Sequence, residues 1–486
     1  MSKKPRTAIV PTREENFPEW YQQVIKSADM AENSPVRGCM IIKPYGFALW
    51  ENMQRIFDGM IKDAGVQNAY FPLLIPLSFM AKEAEHVDGF AKECAVVTHH
   101  RLEADEEGGL QPAGKLEEPF VIRPTSEMII GDAMARWIQS YRDLPLKLNQ
   151  WCNVMRWEMR TRLFLRTSEF LWQEGHNAFE TAEEAREDAL KMLESYRHFA
   201  EDYLALPVIT GEKTADERFP GAIATYTIEA MMQDGKALQA GTSHDLGQNF
   251  AKSIGIKFQG RDGNEAFAHT TSWGISTRLI GGMIMTHGDD DGMIMPPKVA
   301  PYQVIIIPYL NAENPDAVID MCETLKTDLI QKGIRTKFDK EEKEEDVRAS
   351  DKMWGAVKKG IPIRVEIGER EASEGKLTWV RRDLGKQTKE TCLVNQFVTQ
   401  AHDILNNMQN DMYERAKAFR DERITDISTL DEIGKYFAND KGGFVRLDVK
   451  VMNEKGFEDV MKTHSLTTRC MPFADDGKMV LIGKAY

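Results

Sequence analysis

Residues 149–179 read NQWCNVMRWEMRTRLFLRTSEFLWQEGHNAF, two strand-like runs joined by a basic turn. Arg156 falls in the first run between Trp151 and Trp157, while Arg160, Arg162 and Arg166 fall in or beside the turn. Trp172, Glu174 and His176 follow in the second run. A guanidinium inside a strand is costly to desolvate unless an anion meets it. Several arginines converging on one hairpin suit phosphate oxygens, which the planar fork binds with two parallel hydrogen bonds. Composition alone is equally compatible with a surface hairpin of solvated arginines, so the reading turns on what the rest of the chain places beside it.

Three further segments bear on it. Arg123-Pro-Thr-Ser-Glu127 puts Thr125 and Glu127 where a helix should begin, and ordinary capping chemistry accounts for both. Gly274-Ile-Ser-Thr-Arg278-Leu-Ile-Gly-Gly282 carries one arginine among glycines that permit close backbone approach to a ligand, against the plainer reading of a helix-surface cation. Gln239 to Phe250, QAGTSHDLGQNF, contributes Gln239, Thr242 and His244.

With 486 residues the chain should hold two or three domains and a large core. Its net charge of −14 excludes polyanion binding by bulk charge, so any nucleic-acid contact must be a local patch. Residues 352–390 supply a candidate, with ten Lys or Arg against six Asp or Glu. The six cysteines are far apart and form no C-x-x-C, which argues against a zinc site or disulfide framework and fits a reducing cytoplasm. Lys3, Lys4 and Arg6 precede no apolar run, so no signal peptide is read there. No run is long enough to span a bilayer.

Periodicity divides the chain. Before Pro297, helical patterns at 47–64 and 181–204 (the latter opening on a Thr181/Glu184 capping box) frame strand-like runs at 119–123, 148–159, 222–229 and 265–273. This suggests an antiparallel sheet with helices packed on it. Pro296, Pro297 and Pro301 punctuate a boundary. Beyond it, strands at 304–307, 335–338, 363–367 and 378–381 alternate with helices at 315–332, 340–359 and 394–407, a small α/β unit; the run KEEKEED (340–346) reads as a solvated helix face. Residues 411–486 form a short mixed unit. Asp289-Asp290-Asp291 lacks the spacing of a calcium loop and reads as a solvated turn.

The hairpin, the 274–282 segment and the stretch from Arg37 to Pro76 together resemble motifs 2, 3 and 1 of the class II aminoacyl-tRNA synthetases, those of the prolyl type in particular. The resemblance covers essentially the whole chain. It implies a multidomain α/β and α+β protein: an antiparallel class II catalytic domain (1–297), an α/β anticodon-binding domain (298–408) and a small mixed C-terminal domain (409–486). It implies a ligase that activates L-proline with ATP and Mg2+ and charges tRNA(Pro), a cytoplasmic homodimer without membrane association. By the same resemblance Arg156 and Arg278 are catalytic. Thr125, Glu127, Arg156, Trp172, Glu174, His176 and His244 bind proline, the Thr125 hydroxyl and Glu127 carboxylate receiving its amine. Arg156, Arg166, Thr167, Gln239, Thr242, Ser276 and Arg278 bind ATP. No protein ligand to the metal can be named. The terminal Tyr486 is expected to pack against the catalytic domain.

The stretch between Ala178 and His269 has no room for the editing insertion of bacterial-type prolyl enzymes, which points to the archaeal and eukaryotic type. Two departures stand out. That type often has a four-cysteine zinc site in its last domain, whereas here only Cys470 remains and no zinc is expected. At 349–353 the chain reads ASDKM where the family has S-P-G-x-K-F, so only Lys352 aligns. Threonyl- or histidyl-type synthetases, or a tRNA-binding paralogue without charging activity, are the competing readings; the T-S-E loop, G-T-S-H and the intact arginines argue against them.

Overall fold

The computed structural model describes residues 7–84, 93–310, 315–339, 349–438 and 442–486; the acidic run 340–346 and Lys3, Lys4 and Arg6 lie outside them. Helix α1 (Pro44–Asp63) buries Leu49, Trp50, Met53, Phe57 and Ile61 at helical spacing. Phe47, expected on that inner stripe, is instead 40% exposed. Helix α2 (Glu127–Trp137) follows the Thr125 loop. The arginine hairpin is β1 (Leu146–Met155) antiparallel to β2 (Glu169–Phe179), with Gln150 opposite Glu174 and Cys152 opposite Trp172. The first strand was expected to reach residue 159 and contain Arg156. It ends at Met155, and Arg156 follows it, its amide still donating to the Ser168 carbonyl at 2.8 Å.

Helix α3 (Ala182–His198) opens on the Thr181/Glu184 capping box. After it come β3 (Val208–Glu212), β4 (Ala224–Met231), β5 (Ala237–Gly247), β6 (His269–Ser276) and helix α4 (Arg278–His287). The strand expected over 265–273 is two pieces, Glu265–Phe267 pairing elsewhere and β6 joining the main sheet. Alternation along β2 sends Gln173 and Asn177 to one face and Trp172, Glu174 and His176 to the other. Helix α3 covers the first face: Tyr196 Oη donates to Gln173 Oε1 (3.0 Å) and Asp188 accepts from Asn177 (2.7 Å). Gly175 is needed between them, since a Cβ there would stand 2.0 Å from the Trp273 ring.

The second unit is a five-stranded sheet. Strand β7 (Val304–Pro308) leads through α5 (Pro315–Gln331) to β8 (Thr336–Phe338), then α6 (Ala349–Lys358), β9 (Ile363–Ile367), β10 (Lys376–Arg381) and β11 (Glu390–Leu393), in spatial order β8-β7-β9-β10-β11. The β7 pairings are parallel and the last two antiparallel. Helix α7 (Val394–Asp421), expected to stop at Asn407, runs on for 28 residues, so the 408/409 division falls inside a continuous helix. Its Gln409 amide donates to the Asp202 and Tyr203 carbonyls, which ties it to the first unit.

The last segment adds β12 (Ile424–Asp426), β13 (Phe444–Asp448), β14 (Thr467–Pro472) and β15 (Met479–Gly483). These extend the first sheet rather than forming their own: the order is β12-β13-β15-β14-β3-β4-β5-β6-β2-β1, closed by the short strand Gln67–Asn68, eleven strands in all. At the seam Gly211 lies so close to β14 that a Cβ would meet the Met471 carbonyl at 2.4 Å. Among the described residues no helix is long and apolar enough to cross a membrane.

Two surface readings change. Asp289 is not in a solvated turn; it takes both ends of the Arg382 fork (2.6 and 2.8 Å), and Asp290 accepts from the Arg13 amide (2.8 Å). Much of the 352–390 patch is spent internally, through Arg364–Glu366, Lys389–Glu366, Arg370–Glu374, Lys376–Glu374, Arg381–Asp383 and Arg382–Asp289. Counting charges along the chain misses this pairing.

Candidate active site

On the face of the sheet opposite α3 lies a cleft of about 310 Å³, walled by β2, β4, β5 and β6 and by the Thr125 loop. Eleven of the residues singled out in the sequence line it: Thr125, Glu127, Arg156, Trp172, Glu174, His176, Gln239, Thr242, His244, Ser276 and Arg278. Arg166 and Thr167 do not. The Thr167 hydroxyl is bound to the Glu169 carbonyl (2.7 Å), and Arg166 stands 3.6 Å from Glu158. The turn is basic and exposed at Arg160, Arg162 and Arg166 but anchored in the core at Leu163, Phe164 and Leu165, with Tyr21 Oη donating to the Leu163 carbonyl at 2.7 Å. Phe164 sits at φ 62, a conformation an aromatic residue rarely adopts, held by that burial.

One end of the cleft is cationic. Arg156 lies between the Phe170 and Trp172 rings (5.5 and 5.3 Å), its Nε donating to the Pro124 carbonyl at 3.0 Å. Arg278 opens α4 and donates through Nε to the Leu165 carbonyl at 3.1 Å. Burial, then the repulsion of Arg156 and Arg166, brings Arg278 down to about 10; burial also lowers Arg156. Arg278 is half-buried and Arg156, though crowded at its head, is open to the cleft; two neighbouring guanidiniums suit an anion of high charge, and phosphate fits their forks. The Ser276 hydroxyl accepts the Arg278 amide (3.1 Å) and so sets the start of the helix.

The other end holds acceptors and aromatic walls. The capping explanation fails for Thr125: the residue before α2 is Ser126 and no side chain caps the helix, whereas Glu127 does stand in its first turn. Thr125 Oγ1 donates instead to Glu127 Oε2 at 2.5 Å. Among the described residues that is the only donor to the Glu127 carboxylate, which leaves it acceptor capacity inside a buried pocket. Glu174 is more heavily engaged, its Oε1 accepting from Ser126 (2.5 Å), Gln150 (2.7 Å) and the Cys152 thiol (3.4 Å) and its Oε2 paired with His176 (3.0 Å). His244 bonds Thr225 through Nδ1 (3.0 Å) and stacks on Phe219 at 4.5 Å. Burial, with His176 and Arg156 nearby, pushes it down to about 3, so it is neutral at pH 7.

Glu217, Arg218, Phe219 and Pro220 also line the cleft, as do Phe170, Thr225 and Ser272. No periodicity marks the 217–220 loop; its Phe-Pro pair was the one available signal. Tyr486 is half-buried on the catalytic unit, its Oη donating to Asp234 (2.6 Å) and its ring facing Arg162 and Lys236.

The His176–Glu174 pair has a pH signature. Burial lowers His176, but the Glu174 hydrogen bond and charge outweigh it and raise the group above 6.5. Burial raises Glu174, and His176, Ser126 and Gln150 reverse that. The His176 contribution is therefore fully present below pH 6.5 and fades as pH rises through the raised value. We expect the melting temperature to fall across that window. His176→Gln should flatten the slope and cost roughly 1–3 kcal/mol at its acid end; parallel calorimetric profiles for the two proteins would count against this assignment.

The tRNA synthetase class II core domain (G, H, P, S and T) family matches residues 113–287, and the anticodon binding domain family matches residues 303–401. Proline–tRNA ligase of Bdellovibrio bacteriovorus is 55% identical, over 98% of this chain and 97% of its own. That of Rhodopirellula baltica is 52% identical, over 100% and 97%. That of Akkermansia muciniphila is 53% identical, over 97% and 95%. With Arg156 and Arg278 in one cleft beside an acidic, aromatic pocket, and with its likeness to these ligases running from end to end, the chain belongs to the proline–tRNA ligase family of class II aminoacyl-tRNA synthetases.

Proposed function

We propose that this cleft joins L-proline to ATP and passes the product to tRNA(Pro), with the residues divided as the two ends of the cleft divide. The observation that carries the reading is that Arg156 and Arg278 share one cavity with an open acceptor pair, Thr125 and Glu127, Arg156 bonding the Pro124 carbonyl beside that pair. Proline's ammonium has two N–H donors, which suit the Glu127 carboxylate and a Thr125 lone pair. Trp172 and Phe219 wall the pyrrolidine ring, and neutral His244 adds no competing cation. A carboxylate oxygen attacks the α-phosphorus as the bond to pyrophosphate breaks; a tRNA ribose hydroxyl then attacks the acyl carbon and AMP leaves. No base is needed for the first step, because the nucleophile is already ionised. Arg156 bridges the carboxylate and the α-phosphate, Arg278 takes the distal phosphates, and Gln239, Thr242 and Ser276 hold the nucleotide. The residues at the phosphate end are arginines and amide or hydroxyl side chains, which fits Mg2+ arriving on the triphosphate rather than in a protein cage. Arg166 would join only if its turn moves inward.

The finer architecture is part of the proposal. Residues 178–269 supply α3 and β3–β5, all packed into the catalytic sheet, which supports the type without an editing insertion. The units 1–297, 298–408 and 409–486 are a functional division, with α7 shared across the last boundary. The C-terminal unit is read as zinc-free, since Cys470 and His464 are the only Cys and His in its sequence and a structural site needs about four such ligands; metal analysis decides that. Exposed Val36, Ile41, Phe47, Tyr70, Leu74 and Leu77, all near α1, favour a homodimer, which sedimentation at assay concentration tests. Six free cysteines favour the cytoplasm. For the activity itself, pyrophosphate exchange into ATP should depend strongly on proline among the twenty amino acids; equal exchange with threonine or histidine would overturn the substrate assignment.

A further inference from the structure

The seam between the C-terminal segment and the catalytic sheet holds a buried charged triad. Glu229 on β4 is fully buried. Its Oε2 accepts from Arg469 Nη2 at 2.8 Å and Nε at 3.1 Å, and its Oε1 accepts from Thr227 at 2.9 Å. Lys213 Nζ stands 3.0 Å from Oε1, close enough for an ion pair though not aligned as a hydrogen bond. Arg469, on β14, is 5% exposed and also donates to Thr467 Oγ1 at 2.7 Å. Such a triad contributes little to stability compared with apolar packing of the same volume. Its position is more informative than its energy.

Glu229 is the residue directly opposite Gln239 on β5. The β4–β5 ladder is regular from Thr225–His244 through Thr227–Thr242 to Ile228–Gly241, then skips Ala240 and resumes at Glu229–Gln239. Opposed residues of an antiparallel pair share a face, and the Thr225–His244 hydrogen bond confirms which face this is. Without the skipped residue, odd-numbered Gln239 would lie on the other face from Thr242 and His244. The bulge at Ala240 restores it to the cleft, which is what bulges beside sites commonly do. The chain end grips the same place: Ala237 N donates to the Lys484 carbonyl (2.8 Å) and Tyr486 N donates to the Ala237 carbonyl (3.0 Å), two residues from Gln239.

We propose that Arg469 is a positioning residue for the ATP end of the cleft: by clamping Glu229 from the C-terminal segment, it holds the Ala240 bulge in the register that aims Gln239 at the nucleotide. This rests on the reading of Gln239 as an ATP contact. The clamp makes the last unit part of the activation site.

The test is steady-state pyrophosphate exchange on full-length Gln239→Ala, Arg469→Ala and the double variant, with ATP and proline each varied and active sites titrated. Gln239→Ala and Arg469→Ala should each raise KM for ATP about tenfold while KM for proline stays within about twofold. The double variant should be no worse than Gln239→Ala alone, and Arg469→Lys should recover part of the loss. If Arg469→Ala does not fold, Glu229→Gln is read instead; an amide cannot hold two cations, so the same selective rise is expected. A Gln239→Ala effect with no change in Arg469→Ala or Glu229→Gln, or with a loss of active sites at unchanged KM, overturns the clamp alone. No effect of Gln239→Ala removes the ATP reading of that residue, and the clamp falls with it.

Discussion

Arg156→Ala should lower the kcat of proline-dependent pyrophosphate exchange by about 10²–10³-fold, a cost of about 2.7–4 kcal/mol for one preorganised transition-state donor. Arg156 is held on three sides, by the Pro124 carbonyl and the Phe170 and Trp172 rings, so its fork has little freedom to lose when a ligand arrives. The ground state already bears part of the cost at Arg278, where burial and the repulsion of Arg156 and Arg166 act before any phosphate enters, while Glu127 and Glu174 favour the Arg156 charge. The substitution should leave the melting temperature of the ligand-free protein close to the wild-type value, because Arg156 is exposed on the cleft and the charge contacts of an exposed group contribute little. A loss of activity accompanied by a fall in melting temperature would point to a broken core instead. Wild-type kcat in the folded variant would remove the hairpin from the chemistry.

What could be read from residues alone follows from how local each signal is. The hairpin was legible because strand alternation placed Trp172, Glu174 and His176 on one face, and the sheet puts that face on the cleft. The Thr181 cap was legible because a capping box is complete within four residues. That Thr167 stands off the cleft was not legible, because the direction of a hydroxyl in a turn is set by its own bond, here to the Glu169 carbonyl, which no motif position encodes. The 352–390 patch was overrated because its arginines find acids that are far away in sequence, Arg382 reaching back to Asp289. The Phe219 wall and the Arg469–Glu229 clamp were invisible for the same reason. Glu229 and Arg469 are 240 residues apart and meet only because β14 joins the catalytic sheet beside β3. The C-terminal segment, read as a separate unit, is physically an extension of that sheet.

Glu127→Ala should lower kcat/KM for proline by roughly 10²–10³-fold, in line with the roughly 3–5 kcal/mol lost when one partner of a buried ion pair is removed. The carboxylate is 7% exposed and accepts only from Thr125 among the described residues, so an ammonium entering the pocket finds a desolvated anion with lone pairs to spare. Glu174 is a poorer acceptor, since Ser126, Gln150 and His176 already engage its oxygens. Glu127→Gln should fall between the wild type and the alanine variant, because an acceptor oxygen stays while the charge is lost. KM for ATP should move less than KM for proline, since Arg278 is held by the Leu165 carbonyl and Gln239, Thr242 and Ser276 stay in place. A first-turn acid that merely favours the helix dipole would behave differently. Its removal would cost about 0.3–1 kcal/mol of stability and leave proline saturation untouched. Exchange rates measured against proline concentration separate the two, and an unchanged KM and kcat for proline in folded Glu127→Ala would return Glu127 to the role of an ordinary residue in the first turn of α2.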